Sequence, residues 1–297
     1  MMRRFVADRG FLLRYYAWST FISLLALAGL YEWHPYAFRP GVGLWILSLF
    51  PLVFPSFLGV CLAGISAISL ALIYYGDPLT AWHLALIPMG IYAGMLNVAV
   101  VHNCAHENFR PRWMNRVLGE LCSFHLMSGF PGFAILHLLH HRHADDPVLD
   151  PHPNGDCTYW QYLNGLKASL GRSFQRFYVD HWGDNPASRL RWRTIRALLS
   201  TNRVIRALLV LFLFGPLGFA FFYVPSILAN QLTYAHINYY THIHHRDGRI
   251  EIVDLNSTPG YRLLNALMMG IYCHATHHRH AYLLNPAKYP GDRLARA

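Results

Sequence analysis

The residues able to do chemistry fall in three groups: His102-Asn-Cys-Ala-His106, His137-Leu-Leu-His140-His141 and His274-Ala-Thr-His277-His278. Neutral imidazole is the commonest protein ligand for transition metals. On an α-helix, residues i, i+3 and i+4 share one face. Each group is therefore expected to aim its rings at one point. A lone HxxxH pair is a weak signal, whereas one HxxxH with two HxxHH groups is a strong one. Eight imidazoles exceed the ligand set of a single tetrahedral zinc, so two metals are the economical expectation. A further ligand is expected from His236-Ile-Asn-Tyr-Tyr-Thr-His242-Ile-His244-His245. Nitrogen-rich sites suit zinc, copper, iron and nickel alike, and the ligand count does not choose among them.

The elements that hold these histidines are read from the distribution of charge. The chain has 297 residues with only 13% charged and a mean hydropathy of +0.22. No Asp, Glu, Lys or Arg occurs from Gly41 to Tyr75 or from Ala207 to His245. Charge-free runs of this length read as membrane spans, since one crossing takes ~20 apolar residues. The expected fold is all-α: a single polytopic membrane domain over 1–297. It has about six spans, near 15–33, 42–58, 59–75, 81–101, 204–219 and 220–240. The run from Val42 to Tyr75 is too long for one crossing, and Pro51 and Pro55 mark its bend. Gly215-Pro216-Leu217-Gly218 is the expected turn of the last hairpin. Segments 102–203 and 241–297 are expected on the cytoplasmic side, with amphipathic helices between Arg110 and Arg206.

The net charge of +10 comes almost wholly from arginine, Lys167 and Lys288 being the lysines. In this setting it reads as the positive-inside signal, and no nucleic-acid partner is expected. Arg3, Arg4, Arg9 and Arg14 precede the first span. Arg172, Arg176, Arg189, Arg191, Arg193, Arg196, Arg203 and Arg206 lie between the apolar halves. Both termini and all histidine groups then fall on the cytoplasmic side. The N-terminal arginines followed by an apolar run also resemble a secretory signal, but an uncleaved span is the expectation. The five cysteines form no CxxC pair, so neither a disulfide framework nor a zinc ribbon is indicated. Cys104 and Cys273, inside or beside the histidine groups, read as small apolar residues rather than thiolate ligands.

With these residues in view, the chain resembles the integral-membrane fatty acid desaturase and hydroxylase superfamily of non-haem diiron enzymes. Members carry HxxxH or HxxxxH, then HxxHH, then HxxHH, in this order. The resemblance runs from about Leu96 to Asn285. His102-Asn-Cys-Ala-His106-Glu-Asn-Phe is similar to the first box of acyl desaturases. Asn238-Tyr-Tyr-Thr-His242 is similar to the NYxxH element of membrane alkane hydroxylases, in which an Asn-Ser pair, here Asn256-Ser257, also precedes the last box. The resemblance implies two iron ions held by His102, His106, His137, His140, His141, His242, His274, His277 and His278. Asn238 would lie beside the metal or reach it through water. It implies O2 as co-substrate and a long acyl or lipid chain as substrate. Fatty acyl desaturation leads, with hydroxylation, carotenoid ketolation and terminal-alkene-forming decarboxylation as alternatives. No HPGG haem motif or CxxC pair is present, so a separate ferredoxin, rubredoxin or cytochrome b5-type donor is expected, with membrane lipids as the remaining partner.

Other polar residues rank below these. Asp145, Asp146 and Asp150 follow the second box and are candidates to orient ligand imidazoles by accepting N–H bonds. Turn-forming aspartates are the competing account. His143, His236, His244, His245 and His280 are lesser ligand candidates. His125, His152 and His181 read as structural, and His34 and His83 fall on the outer side. Trp160, Tyr159 and Tyr162 fit an interfacial belt or the wall of a substrate entrance. Two different classes remain: a zinc-dependent membrane hydrolase and a metal carrier. The first leaves half the ligands without a role, and the second needs histidines near the bilayer midplane.

Overall fold

The computed structural model describes residues 2–33, 43, 46–47, 49–53, 56–126, 129–153, 157–245, 247 and 249–289. The expected outer loop from His34 to Gly41 lies outside these residues, as does much of the expected span 42–58. The described helices are α1 (Met2–Ala7), α2 (Phe11–Trp33), α3 (Phe57–Ser69), α4 (Ala81–Ala105), α5 (Trp113–Leu126) and α6 (Phe130–His143). They continue with α7 (Tyr159–Trp182), α8 (Pro186–Gly218), α9 (Val224–Thr241), α10 (Pro259–Leu267) and α11 (His274–Arg279). The chain divides into two compact units, one built from 1–94, 123–131 and 175–229, the other from 95–122, 132–174 and 230–297.

The first unit carries the membrane signature. Large apolar side chains point outward, with Ile73 84% and Trp82 66% exposed. A water-facing surface does not tolerate so continuous an apolar cover, whereas hydrocarbon does. Four helical stretches are long and apolar enough to cross a bilayer: Phe11–Leu30, Phe57–Tyr75, Ala81–Ala105 and Pro186–Thr241. The bent pair α5 and α6 makes a fifth among the described residues, where about six spans were expected over the chain. The run after Pro55 forms a single helix, capped by the Ser56 hydroxyl accepting the Gly59 N–H and continuing as a π-turn through Leu70–Tyr75. The expected last two spans are one helical run of 56 residues. A straight helix of that length would reach roughly 84 Å, far beyond a hydrocarbon core of about 30 Å. Gly215 interrupts it with φ 69° and ψ 172°, a conformation open to glycine and located where the turn was expected.

Packing in this unit is close where side chains are small. A Cβ on Gly90 would come within 2.2 Å of the Phe222 carbonyl oxygen, and one on Gly94 within 2.0 Å of that of Ser226. Glycines four apart thus let α4 backbone touch backbone, the usual device where lipid removes the hydrophobic drive between helices. Leu208, Leu211, Phe212, Phe219 and Ile227 form the core with Val60, Ala63 and Ala67. Arg206 is buried. It donates to the hydroxyls of Ser19 and Ser123 and lies over the Phe124 ring.

The second unit holds the three histidine groups and His242. Val98, Ala99, Ile237, Met268, Ile271 and Tyr272 form one core, and Tyr162, Leu163, Leu166 and Ala235 another. The all-helical expectation needs one correction. Directly after α9, strands β1 (His242–His244) and β2 (Ile250–Ile252) pair antiparallel, with His242 opposite Ile252. The β-branched Ile243, Ile250 and Ile252 suit a strand better than a helix.

Candidate metal centre

Each histidine group sits where a helix ends or begins. His102 lies in the last turn of α4, and His106 follows it. Glu107 then takes a left-handed φ of 59°, ending the helix. The Asn108 side chain donates to Asn103 Oδ1 at 2.8 Å and to the Ala281 carbonyl at 2.9 Å. The first group is thereby tied to the segment that follows the third. His137, His140 and His141 occupy the last two turns of α6, which ends before Asp145 at φ 65°. Such left-handed non-glycine residues cost stability and collect at functional sites.

The third group stands on a short helix, α11, that needs outside support. Asp254 supplies it, accepting the Thr276 N–H at 2.9 Å and the Thr276 hydroxyl at 2.5 Å. Buried Asn265 accepts the Tyr272 N–H and donates to the Leu255 carbonyl. Gly270, at φ 72°, leaves no room for a side chain: a Cβ would lie 2.4 Å from Asn285 Oδ1. Asp254 and Asn265 escaped the sequence reading because their partners are distant or backbone.

The nine histidines come together as two sets. His102, His106, His137, His141 and His277 form one; His140, His242, His274 and His278 form the other. Within each set, one ring nitrogen per residue lies within 4.8 Å of all the others. The expectation that each sequence group aims at one point is corrected. The i,i+4 pairs His102/His106, His137/His141 and His274/His278 each stay in one set. The i+3 residues His140 and His277 cross to the other set. Helical rotation explains this: i+3 and i+4 are about 100° apart around the axis.

The ring nitrogens fit a metal better than they fit one another. His106 Nε2 lies 2.8 Å from His137 Nε2 and 3.2 Å from His141 Nε2, which lies 3.0 Å from His277 Nε2. In the second set His274 Nε2 and His278 Nε2 are 3.1 Å apart. Two imidazoles at right angles on one ion, with bonds of about 2.1 Å, stand about 3.0 Å apart. A neutral imidazole has a single N–H, so converging nitrogens cannot all be satisfied by pairing. His102 Nε2, His140 Nε2 and His242 Nε2 are buried without a hydrogen-bond partner, a costly arrangement unless something accepts their lone pairs. Burial, reinforced by neighbouring histidines, holds His277 down to about 2 and His278 to about 3. Burial alone brings His106 to about 4. The same causes push His274 well below its ordinary value. These rings are neutral at pH 7, as a metal ligand must be. Burial pushes the Cys273 thiol up to about 12, so it is not a thiolate, and neither set includes a cysteine.

Two carboxylates orient the second set. Asp150 accepts from His140 Nδ1 with both oxygens at 3.0 Å. Asp145 accepts from His242 Nδ1 at 2.8 and 3.0 Å. Each fixes the tautomer that leaves Nε2 free to bind. Asp146 does not join them, against expectation. Its Oδ1 accepts the N–H groups of Val148 and Leu149, and those bonds hold its carboxyl below the usual range. A short loop must cap its own backbone before it can position a neighbour.

Asn238 lines a small open cleft with His140, Asp145, Asp150, His152, Tyr162 and His242. Its Nδ2 donates to the Tyr234 carbonyl. The lesser candidates lie outside both sets. His143 ends α6, and His244 lines the cleft. His236 contacts the Tyr272 hydroxyl, His245 pairs with Glu251, and His280 packs on Tyr289. His181 donates to the Val6 carbonyl, and His83 meets Thr80. His152 was undervalued. It groups with His140 and Asp150 and shares a 2.8 Å hydrogen bond with the Tyr234 hydroxyl. Its burial holds it down to about 3. The signal was Asp150-Pro-His152, ten residues past a ligand and off helical period.

A protein-family model described as fatty acid desaturase matches residues 77–285, more than half of the chain and every histidine of both sets. No curated protein and no solved structure matches it.

Proposed function

The chain belongs to the fatty acid desaturase family, and from that membership we propose that it is an O2-dependent membrane oxidase that desaturates a long aliphatic chain. The observation that carries this reading is the partition of nine imidazoles into a set of five and a set of four. Each set suffices for one iron. A zinc-dependent hydrolase would use three or four ligands and leave the other set without a role. Irons bound there would supply, with O2 and two external electrons, the means to take hydrogen from an unactivated C–H bond.

The chain's own residues prepare that chemistry. All-nitrogen ligation keeps the site cationic. Asp150 and Asp145 keep His140 and His242 in the binding tautomer, raising the basicity of the ring. Burial of His102, His137, His140, His274 and His277 keeps bulk water from the reacting atoms. His102 lies in the last turn of α4 and His242 directly follows α9, so the metals would meet the ends of apolar helices, where an aliphatic substrate is soluble.

Hydroxylation is the second reading. It is favoured by Asn238, whose NYxxH element puts an amide and His242 on the same cleft. The two outcomes divide after the first hydrogen leaves, according to substrate placement. Electrons come from a separate ferredoxin, rubredoxin or cytochrome b5-type donor. Exposed Arg189, Arg193 and Arg196, on one face of α8, are the surface on which an acidic donor docks. The metal centre and both termini are on the cytoplasmic side.

The test is metal analysis of the purified protein joined to product analysis by mass spectrometry in a lipid-producing host. About two irons per chain and a new double bond are expected. One zinc, with activity that survives without O2, sinks the proposal; an added oxygen selects hydroxylation.

A further inference from the structure

A site strong enough to break an unactivated C–H bond endangers its own ligands whenever O2 reacts there without substrate. The rings beside the second histidine set offer an exit. Tyr162 is 3% exposed and lines the cleft with His140, His242 and Asn238. Its ring centroid lies 5.4 Å from that of Tyr239, which lines the same cleft. Tyr239 lies 5.7 Å from Tyr159, and Tyr159 lies 5.3 Å from Trp160. Trp160 is 62% exposed. All three contacts are edge-on, at separations where aromatic rings touch. Electron transfer falls off exponentially with distance, so rings in contact pass charge far faster than one long jump through aliphatic side chains. Packing alone needs neither phenols nor an unbroken order from buried cleft to surface.

We propose that Tyr162, Tyr239, Tyr159 and Trp160 form a relay that carries oxidising equivalents from the metal centre to the protein surface when no substrate is bound. The idea rests on the oxidase reading above. In each step Tyr162 loses one electron and its phenolic proton, breaking the O–H bond and forming a phenoxyl radical. Electron and proton together reduce O2-derived oxygen toward water. Tyr239 re-reduces Tyr162, Tyr159 re-reduces Tyr239, and the exposed indole of Trp160 re-reduces Tyr159; at each transfer the radical ring takes one proton from water of the cleft or surface, and the ring that gives the electron releases its own O–H or N–H proton to that water. Solvent returns the proton. A one-electron reductant, the external donor protein or a small thiol, restores Trp160. The hydroxyls of Tyr239 and Tyr159 are held by the carbonyls of Cys157 and Leu232, which accept the phenol hydrogen bond and keep the rings in register.

The experiment uses the full-length, iron-loaded protein in detergent. It is reduced with dithionite, mixed with O2 without substrate, freeze-quenched and read by electron paramagnetic resonance. O2 consumption and iron content are followed alongside. An organic radical is expected, with hyperfine structure that changes when ring-deuterated tyrosine is incorporated. Tyr162→Phe loses that signal at unchanged iron content. Tyr239→Phe, one ring further out, confines the radical to Tyr162 and prolongs it, and serves should the first variant fold poorly. Peptide mass spectrometry finds oxidation at Trp160 in the parent and at cleft residues in Tyr162→Phe. O2 consumed with no radical, or a radical unchanged in both variants, overturns the relay alone. No iron bound and no O2 consumed overturns the oxidase reading and the relay with it.

Discussion

Asp150 accepts the Nδ1–H of His140 with both carboxylate oxygens, each 3.0 Å away. It also receives the N–H groups of Asp145 and His152. One carboxylate therefore shapes the loop after the second box and sets the tautomer of a ligand. Asp150→Asn should lower iron affinity by about 10–100-fold, read by titration of the metal-free protein. Asp146→Asn should leave it unchanged, since Asp146 caps only its own turn. Equal losses in the two variants would remove the distinction.

The split of each box between two sets predicts graded metal loss. His140→Ala and His277→Ala remove one ligand from different sets. Each should abolish turnover and lower iron content. His245→Ala, outside both sets and paired with Glu251, should do neither. A box variant that keeps full iron and activity refutes the assignment.

Metal-free protein should lose stability in acid before neutral pH. The folded-state values of His106 and His278 lie near 4 and 3, below the unfolded value of about 6.5. Above about pH 6.5 both states are neutral at these rings, and their contribution is full. As pH falls below that, only the unfolded chain takes up protons, so stability is lost down through the folded values. Denaturant unfolding of the metal-free protein at pH 8 and pH 5 checks this. A midpoint that does not move says the rings are not held neutral.

Gly270 should not tolerate alanine. Its φ of 72° and the 2.4 Å approach to Asn285 Oδ1 act together just before the third box. Strain of about 1–3 kcal/mol is expected, seen as a lower melting temperature and reduced iron in the purified variant. Gly260→Ala, where a Cβ meets nothing within 4 Å, is the control. If both variants load iron equally, the segment is not held as described.

Charge reversal at Arg189, Arg193 and Arg196 should slow donor-dependent turnover and flatten its salt dependence, because exposed charges act mainly on encounter. Direct chemical reduction should bypass the defect. Identical donor kinetics in parent and variant would mean that these arginines serve only lipid headgroups.

Helical period made the boxes legible, and chain order made the family legible before any coordinate was known. His102, His137 and His274 were readable because ligand chemistry restricts residue type and helices restrict spacing, whereas His242, which begins a strand, was singled out by the family resemblance. Charge-free runs announced the membrane for the same kind of reason: hydrocarbon excludes unpaired charge over a whole span. The number of spans was less legible. Hydropathy registers apolar length, while glycine and proline marked the breaks: Gly215 lies in the expected turn, and the helix capped by Ser56 begins just after Pro55.

What only the tertiary structure decided is who shares a metal with whom. The sequence places His137, His140 and His141 on one helix face, but the fold sends His140 to His242 and His274, and His137 and His141 to His102 and His277. That division depends on about 100° of helical rotation meeting partners that lie up to 140 residues away in the chain. The choice of Asp145 and Asp150 over Asp146 and the place of His152 beside His140 are decided the same way. Both follow from a loop closing on a helix it does not resemble in period. Local spacing specifies the ligands; only their distant neighbours specify the site.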